Sequence, residues 1–200
     1  MATPWQPLLD WWFGPSASAA QVAAEHHGLW FGYQAAQDEA AALRFGADCA
    51  RALDGGLQDW LEAPQGWLAL ILLLDQLPRM IYRGTPRAFA GDARARQLVA
   101  EGLAQGRERA LAPIEQVFIY IVLEHHESLA SQELAVERFQ ALRDAAAPDE
   151  RSVFAGFLDF AGQHREVIRR FGRFPHRNPI LGRDSSVAEQ AYLAEPGAGF

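Results

Sequence analysis

The chain has 200 residues and a formal net charge of −7; half of its residues are hydrophobic and 22% are charged. That length fits one domain, 1–200, with enough chain to bury a sizeable core, and the composition is globular rather than disordered. The acidic balance argues against a nucleic-acid partner, because neutralising phosphates takes a basic surface.

All 18 basic residues are Arg. Arg presents a rigid fork of donors suited to anions, although a GC-rich coding sequence produces the same bias. Cys49 stands alone, so no intrachain disulfide and no cysteine-based zinc motif is expected, which fits a cytoplasmic location. The stretch from Met1 to Gly14 has no basic leader, and Asp10 interrupts its apolar residues, so it does not read as a signal peptide. The longest apolar run, Trp67 to Leu74, falls well short of the ~20 residues that span a bilayer, so no membrane partner is expected.

In chain order, Thr3 and Pro4 predict a first helix carrying Trp5, Leu8, Leu9 and Trp12 and stopped by Gly14-Pro15. Residues 16–34 are weakly patterned and read as a short Ala-rich helix ending near Gly28. A clearer helix is expected from Asp38 to Leu53, with Ala41, Phe45, Cys49 and Leu53 on one stripe. Pro64-Gln65-Gly66 opens a helix over Trp67–Gln76 that is apolar on every face and therefore surrounded by protein. Thr85-Pro86 starts a short helical turn, and Asp92 to Gln105 is helical up to Gly106. Pro113 to Glu124 forms a second buried helix; its β-branched residues suit a strand, but the proline start and the lack of a partner strand favour a helix.

Ser128 to Ala145 follows with Leu129, Val136, Phe139 and Leu142 inward, and Asp149 caps a long helix ending at Phe171 before Gly172. Ser186-Val187-Ala188-Glu189 is a capping box for a last short helix to Ala194, and the tail 196–200 reads as extended. The pattern is all-α, with eight or nine helices in a bundle or array and no internal repeat strong enough to name.

Four places put polar groups beside buried helices, where each needs a partner. Asp75 and Gln76 end the most apolar helix, followed by Arg79 and Arg83; the carboxylate either anchors one of those Arg side chains or belongs to a site. Glu124, His125, His126 and Glu127 follow the second buried helix. They suit a general base with its orienting partner, or a helix C-terminus with His against its dipole. As metal ligands they lack the usual spacing, and neither a metal nor a cofactor is expected. His164 lies on the apolar stripe of the long helix, either as a hydrogen-bonded core residue or facing Glu124 or Glu127.

The fourth is the segment 165–183, which holds six Arg (165, 169, 170, 173, 177 and 183) against one acid, Glu166. With His176 and Asn178 on a Pro/Gly-rich loop, Arg173, Arg177 and Arg183 suit a phosphate or carboxylate. They equally suit neutralising the protein's own acids, such as Asp75, Glu124 and Asp184. No Gly-rich phosphate loop and no nucleophile elbow is present.

The chain resembles the bacterial family known as domain of unknown function 924. The resemblance rests on Asp10-Trp11-Trp12-Phe13-Gly14, Leu74-Asp75-Gln76-Leu77-Pro78-Arg79, Tyr82-Arg83-Gly84-Thr85, Ala88-Phe89-Ala90 with Asp92, and Leu123-Glu124-His125 with Glu127 and Gln132. It continues in Arg170-Phe171-Gly172-Arg173-Phe174-Pro175-His176-Arg177-Asn178, Leu181-Gly182-Arg183, Pro196-Gly197 and Phe200. It implies a tetratricopeptide-like α-α superhelix and no assigned activity. The chain departs from the family pattern at Leu77, Met80 and His126.

Three functions stay open at this point. The first is binding of an anionic small molecule or peptide on Asp75, Gln76, Arg79, Arg83, Arg173, Arg177, Asn178 and Arg183. The second is an enzyme with Glu124, His125, Glu127, His164 or His176 as acid–base groups on a phosphorylated or carboxylated substrate. The third is a polar brace that only holds the fold. The aromatic content also allows a dimer.

Overall fold

The computed structural model describes residues 3–16 and 18–199. Among these it contains nine α-helices and no strand. They are α1 (Gln6–Phe13), α2 (Ala19–Phe31), α3 (Ala35–Leu53), α4 (Pro64–Ile81), α5 (Asp92–Ala104), α6 (Pro113–Glu124), α7 (Leu129–Ala145), α8 (Arg151–Phe171) and α9 (Val187–Leu193). Short 3-10 turns lie at Gln58–Glu62, Pro86–Phe89, Arg107–Ala110 and Pro175–Arg177. The expected all-α class holds.

Helix α4 is the axis of the core. Every residue from Gly66 to Pro78 is buried, and α3, α5 and α6 pack around it. Trp67 is fully buried, and its indole donates to Leu98 O at 3.1 Å. That approach of α5 needs a residue without a side chain: a Cβ at Gly102 would stand 2.2 Å from Trp67 Cζ2. At the other end of the core, Phe118 of α6 gathers Trp12, Phe13 and Trp30, with ring centroids 5.4, 5.4 and 4.8 Å away. Trp30 Nε1 donates to Trp12 O at 2.9 Å, so the indole dipole is satisfied inside that cluster.

Several boundaries differ from the sequence reading. Helix α1 begins two residues later than Thr3-Pro4 predicts, with Trp5 as its N-cap and a proline inside its first turn. Helix α2 runs through Gly28 to Phe31 because Trp30, beyond the glycine, is buried. Helix α8 is capped by Glu150 rather than Asp149. Leu129 is exposed, and the inner face of α7 is Gln132, Ala135, Phe139 and Leu142. The Ser186/Glu189 capping box forms as expected. The tail turns at Pro196-Gly197, where Ala198 N bonds Glu195 O, instead of running extended; Phe200 lies outside the described residues.

The most consequential difference is at Pro78. A proline inside a helix removes the bond to the carbonyl four residues back, here Leu74 O, and normally ends or kinks the helix. Yet α4 continues to Ile81, because Leu77 and Met80 are both buried. The backbone of Gly91 packs onto the Leu74 carbonyl; a Cβ at position 91 would sit 2.2 Å from Leu74 O. This contact brings the N-terminus of α5, beginning at Asp92, against the last turn of α4.

Candidate functional site

The ends of α4 and α6, the start of α5 and the Pro175–Arg177 turn meet at one place. Asp75, nearly inaccessible, is at its base. His125 Nδ1 lies 2.9 and 2.8 Å from the two Asp75 carboxylate oxygens, Gln76 Nε2 donates to Oδ2 at 2.6 Å, and Arg79 Nη1 is 3.3 Å from Oδ1. Burial acts to raise the Asp75 carboxyl. Arg79, His125 and the bonds from His125 and Gln76 outweigh it and hold the group below the ordinary carboxylate range.

An ionised Asp75 requires the N–H on Nδ1 of His125, which leaves Nε2 as the acceptor. Burial and Arg79 push the His125 pKa down, against the pull of Asp75, so the imidazole is neutral at neutral pH. His125 is the C-cap of α6, but the cation beside it is Arg79.

Arg79 forks onto Asp92, at 2.9 Å to Oδ1 and 3.1 Å to Oδ2. Arg177 Nη1 donates to His125 O at 2.9 Å, while the guanidinium lies between the rings of Phe89 and Phe174, 5.1 and 4.5 Å from their centroids. Burial and the neighbouring Arg79 lower the Arg177 pKa to about 10, which leaves it charged at neutral pH. Its Nε is buried without a hydrogen-bond partner among the described residues. Glu127 is clamped by both Arg183 nitrogens at 2.7 and 2.9 Å and accepts the Phe174 N–H at 2.8 Å. Burial opposes its ionisation, but these bonds keep its pKa below the ordinary value. Arg183 also reaches Asn178 Oδ1 at 2.9 Å, and Asn178, fully buried, donates to Ser185.

Behind this layer lies a second, more deeply buried one. Glu124 is buried with Oε2 at 3.3 Å from His164 Nδ1. Burial and then the charge of Asp75 raise the Glu124 pKa well above 4.5, and burial lowers that of His164 to about 3. Burial thus works against charge on both partners, and His164 Nδ1 also lies 2.9 Å from Phe160 O. Gln132 sits beneath, donating to Glu124 O at 2.6 Å and His126 O at 2.8 Å, and so ties the α6–α7 turn. His176 is largely buried, its pKa lowered to about 4 by burial and Arg177.

A cleft of about 290 Å³ opens onto this constellation, lined by Phe89, Asp92, Arg96, His125, His126, Glu127, Arg177 and Leu181. Within its lining, the guanidinium groups of Arg96 and Arg177 face the carboxylates of Asp92 and Glu127. Among the described residues Arg96 has no carboxylate within ion-pair distance; its charge is felt at His126, whose pKa it helps burial to lower.

Of the residues singled out in the sequence, Asp75, Gln76, Arg79, Glu124, His125, Glu127, His164, His176, Arg177, Asn178 and Arg183 converge here. Arg83 does not; it forks onto Asp38 of α3 at 2.7 and 2.9 Å and lies over Tyr33. Arg173 forks onto Glu189 of α9 at 2.6 and 2.8 Å. Arg96, Phe89 and Asp92 are additional to the residues expected at the site, and His126 of the Glu-His-His-Glu stretch lines the cleft as well. Phe89 and Asp92 stood in the family motif, but nothing local distinguishes Arg96 from other Arg residues on a helix surface. Among the described residues, no three His, Cys, Asp or Glu side chains are grouped as metal ligands.

Comparison with known proteins gives three findings. The structure is similar to that of a protein of unknown function, ATU0120, from Agrobacterium tumefaciens, with 34% sequence identity and a TM-score of 0.73; the match covers 88% of this chain and 99% of that one. No curated protein matches the chain. The model of the family described as "Bacterial protein of unknown function (DUF924)" matches residues 8–197, and the chain belongs to that family.

Proposed function

We propose that the cleft binds a small anionic molecule and that the Asp75–His125 pair acts on it as a general base. The observation that carries this reading is the clamping of His125 Nδ1 by both oxygens of an ionised, buried Asp75, with the same imidazole lining the cleft. Nε2 then takes a proton from the substrate or from an attacking water, and Asp75, remaining ionised, stabilises the imidazolium that forms. Arg96 and Arg177 hold the anionic group. Arg177 is fixed by its two aromatic neighbours and by His125 O, so little is lost in ordering it when a ligand arrives. Arg79 and Arg183 are committed to Asp92 and Glu127, and they act as braces that position the pair and the turn.

The small volume favours a carboxylate- or phosphate-bearing metabolite over a peptide. The consecutive packed pairs α3–α4, α6–α7 and α7–α8 are in keeping with a tetratricopeptide-like superhelix. The lone Cys49, buried and without a partner cysteine, is in keeping with a cytoplasmic location; among the described residues no helix is long and apolar enough to cross a membrane.

The test is a screen of phosphate monoesters, carboxylate esters and organic acids for binding by thermal shift and for turnover. A ligand at about 100 times its Kd adds about 2.7 kcal/mol to stability, several degrees in a domain of this size. Anions should stabilise the wild type but not Arg96→Ala, and turnover should vanish in His125→Gln while binding persists. Equal stabilisation of Arg96→Ala would remove the anion site, and turnover surviving His125→Gln would remove the base.

A further inference from the structure

A second groove, of about 520 Å³, runs from the cleft between α5 and α7. Arg96 and His126 line both spaces, so the groove begins where the cleft ends. Its walls are Ala100, Leu103 and Ala104 of α5, Leu123 of α6 and Leu134 of α7. Arg96, Ala100, Leu103 and Ala104 follow one face of α5 at helical spacing. The two alanines leave a trough that Leu103, Leu123 and Leu134 border, and Gln97, Ser131 and Arg138 line it as well.

We infer that the substrate carries an aliphatic tail on its anionic head, and that this groove holds the tail while Arg96 and Arg177 hold the head. The inference rests on the anion-binding reading of the cleft and names the substrate class for it. Continuity through Arg96 sets the polarity: that cation stands at the junction, and the walls beyond it are mainly apolar, with Arg138 the other cation in the lining. The occupant is a narrow chain rather than a protein partner: the groove recesses at its alanines, and among the described residues none of the exposed large apolar side chains lines it. Arg96 and Ala104 are about two turns apart, roughly 12 Å along the axis, which is the reach of about eight to ten extended carbons.

Titration with n-alkyl carboxylates and n-alkyl phosphates, from two to twelve carbons and below their micellar concentrations, tests this on the full chain. Affinity should rise about threefold per added methylene, in line with burial of apolar surface, and level off at about eight to ten carbons. The stronger series identifies the head as carboxylate or phosphate. In Ala100→Trp, which fills the trough from an exposed helix position, the gain with length should disappear; Leu134→Asp should remove it independently. Short anions that bind with no gain in affinity on lengthening overturn the tail and leave the anion site standing. If the gain persists in both variants, or appears equally with alkyltrimethylammonium probes, the groove assignment is wrong. If no anion of any length binds, the reading of the cleft fails as well.

Discussion

Asp75 and His125, fifty residues apart, meet with both carboxylate oxygens within 2.9 Å of one imidazole nitrogen. Asp75 lies inside the buried helix α4 and is nearly inaccessible, so it cannot turn to solvent for its hydrogen bonds, whereas His125, the C-cap of α6, lines the cleft. The arrangement depends on α4 continuing past Pro78. Only then does Arg79 reach Asp92 as well as Asp75, and the resulting network sets the charge of the whole cleft.

The ion pairs here differ in what they contribute. Glu127 joins Arg183 to the Phe174 N–H, and removing it leaves a guanidinium and a backbone donor short of partners. Glu127→Ala should cost about 2 kcal/mol and lower Tm by about 4–8 °C. The Arg83–Asp38 pair, with the Arg83 side chain 43% exposed, is screened by water. Arg83→Ala should cost less than about 1 kcal/mol. Calorimetry of the two variants decides this; equal losses would mean that burial of the Glu127 clamp contributes nothing.

The buried titratable groups behind the cleft make stability pH-dependent in two opposing directions. His164 and His176 titrate at about 3 and about 4, below the ordinary 6.5, and His125 is lowered too. Between those values and 6.5 the unfolded chain binds protons that the folded chain does not, so these groups make stability rise with pH there. Glu124 does the reverse. Its folded pKa is raised, so its contribution is complete below 4.5 and is lost as pH rises through the folded value. Glu124→Gln should therefore gain in Tm relative to wild type as pH rises from about 5 to about 8. A difference that does not change with pH would show that Glu124 is ionised in the folded state.

Gly102 sits where α5 touches the Trp67 ring, and a methyl group there would stand 2.2 Å from Cζ2. Backbone and ring are both locked by the bond from Trp67 to Leu98 O, so neither can withdraw cheaply. Gly102→Ala, a change that favours helix by about 1 kcal/mol at an exposed site, should here destabilise by about 1–3 kcal/mol. A chemical-denaturation midpoint equal to or above that of wild type would contradict the packing.

The apolar runs of α4 and α6, and the Pro and Gly residues that punctuate the chain, made the helices legible, because buried helices are marked by composition alone. The extension of α4 past Pro78 was not legible. The proline rule reads one segment, whereas the outcome turns on the burial of Leu77 and Met80 and on Gly91, just before α5, which packs against the Leu74 carbonyl. Asp75, Glu124 and His125 stood out as polar groups ending apolar helices. Arg83 and Arg173 stood out for their charge, but their partners Asp38 and Glu189 lie 45 and 16 residues away and draw them to other surfaces. Arg96 could not be seen, since what distinguishes it is the absence of a nearby acid in three dimensions.

The most direct test of the central claim is the protonation state of the His125 imidazole, read by long-range 1H–15N NMR of the ring nitrogens near neutral pH. The account predicts a neutral ring with the proton on Nδ1 and a bare Nε2, and a shift of the Nε2 resonance when an anionic ligand fills the cleft. In Asp75→Asn the preference for the Nδ1–H form should disappear. An imidazolium, or a proton resting on Nε2 in the wild type, would contradict the general-base assignment and leave the pair as a brace for the fold.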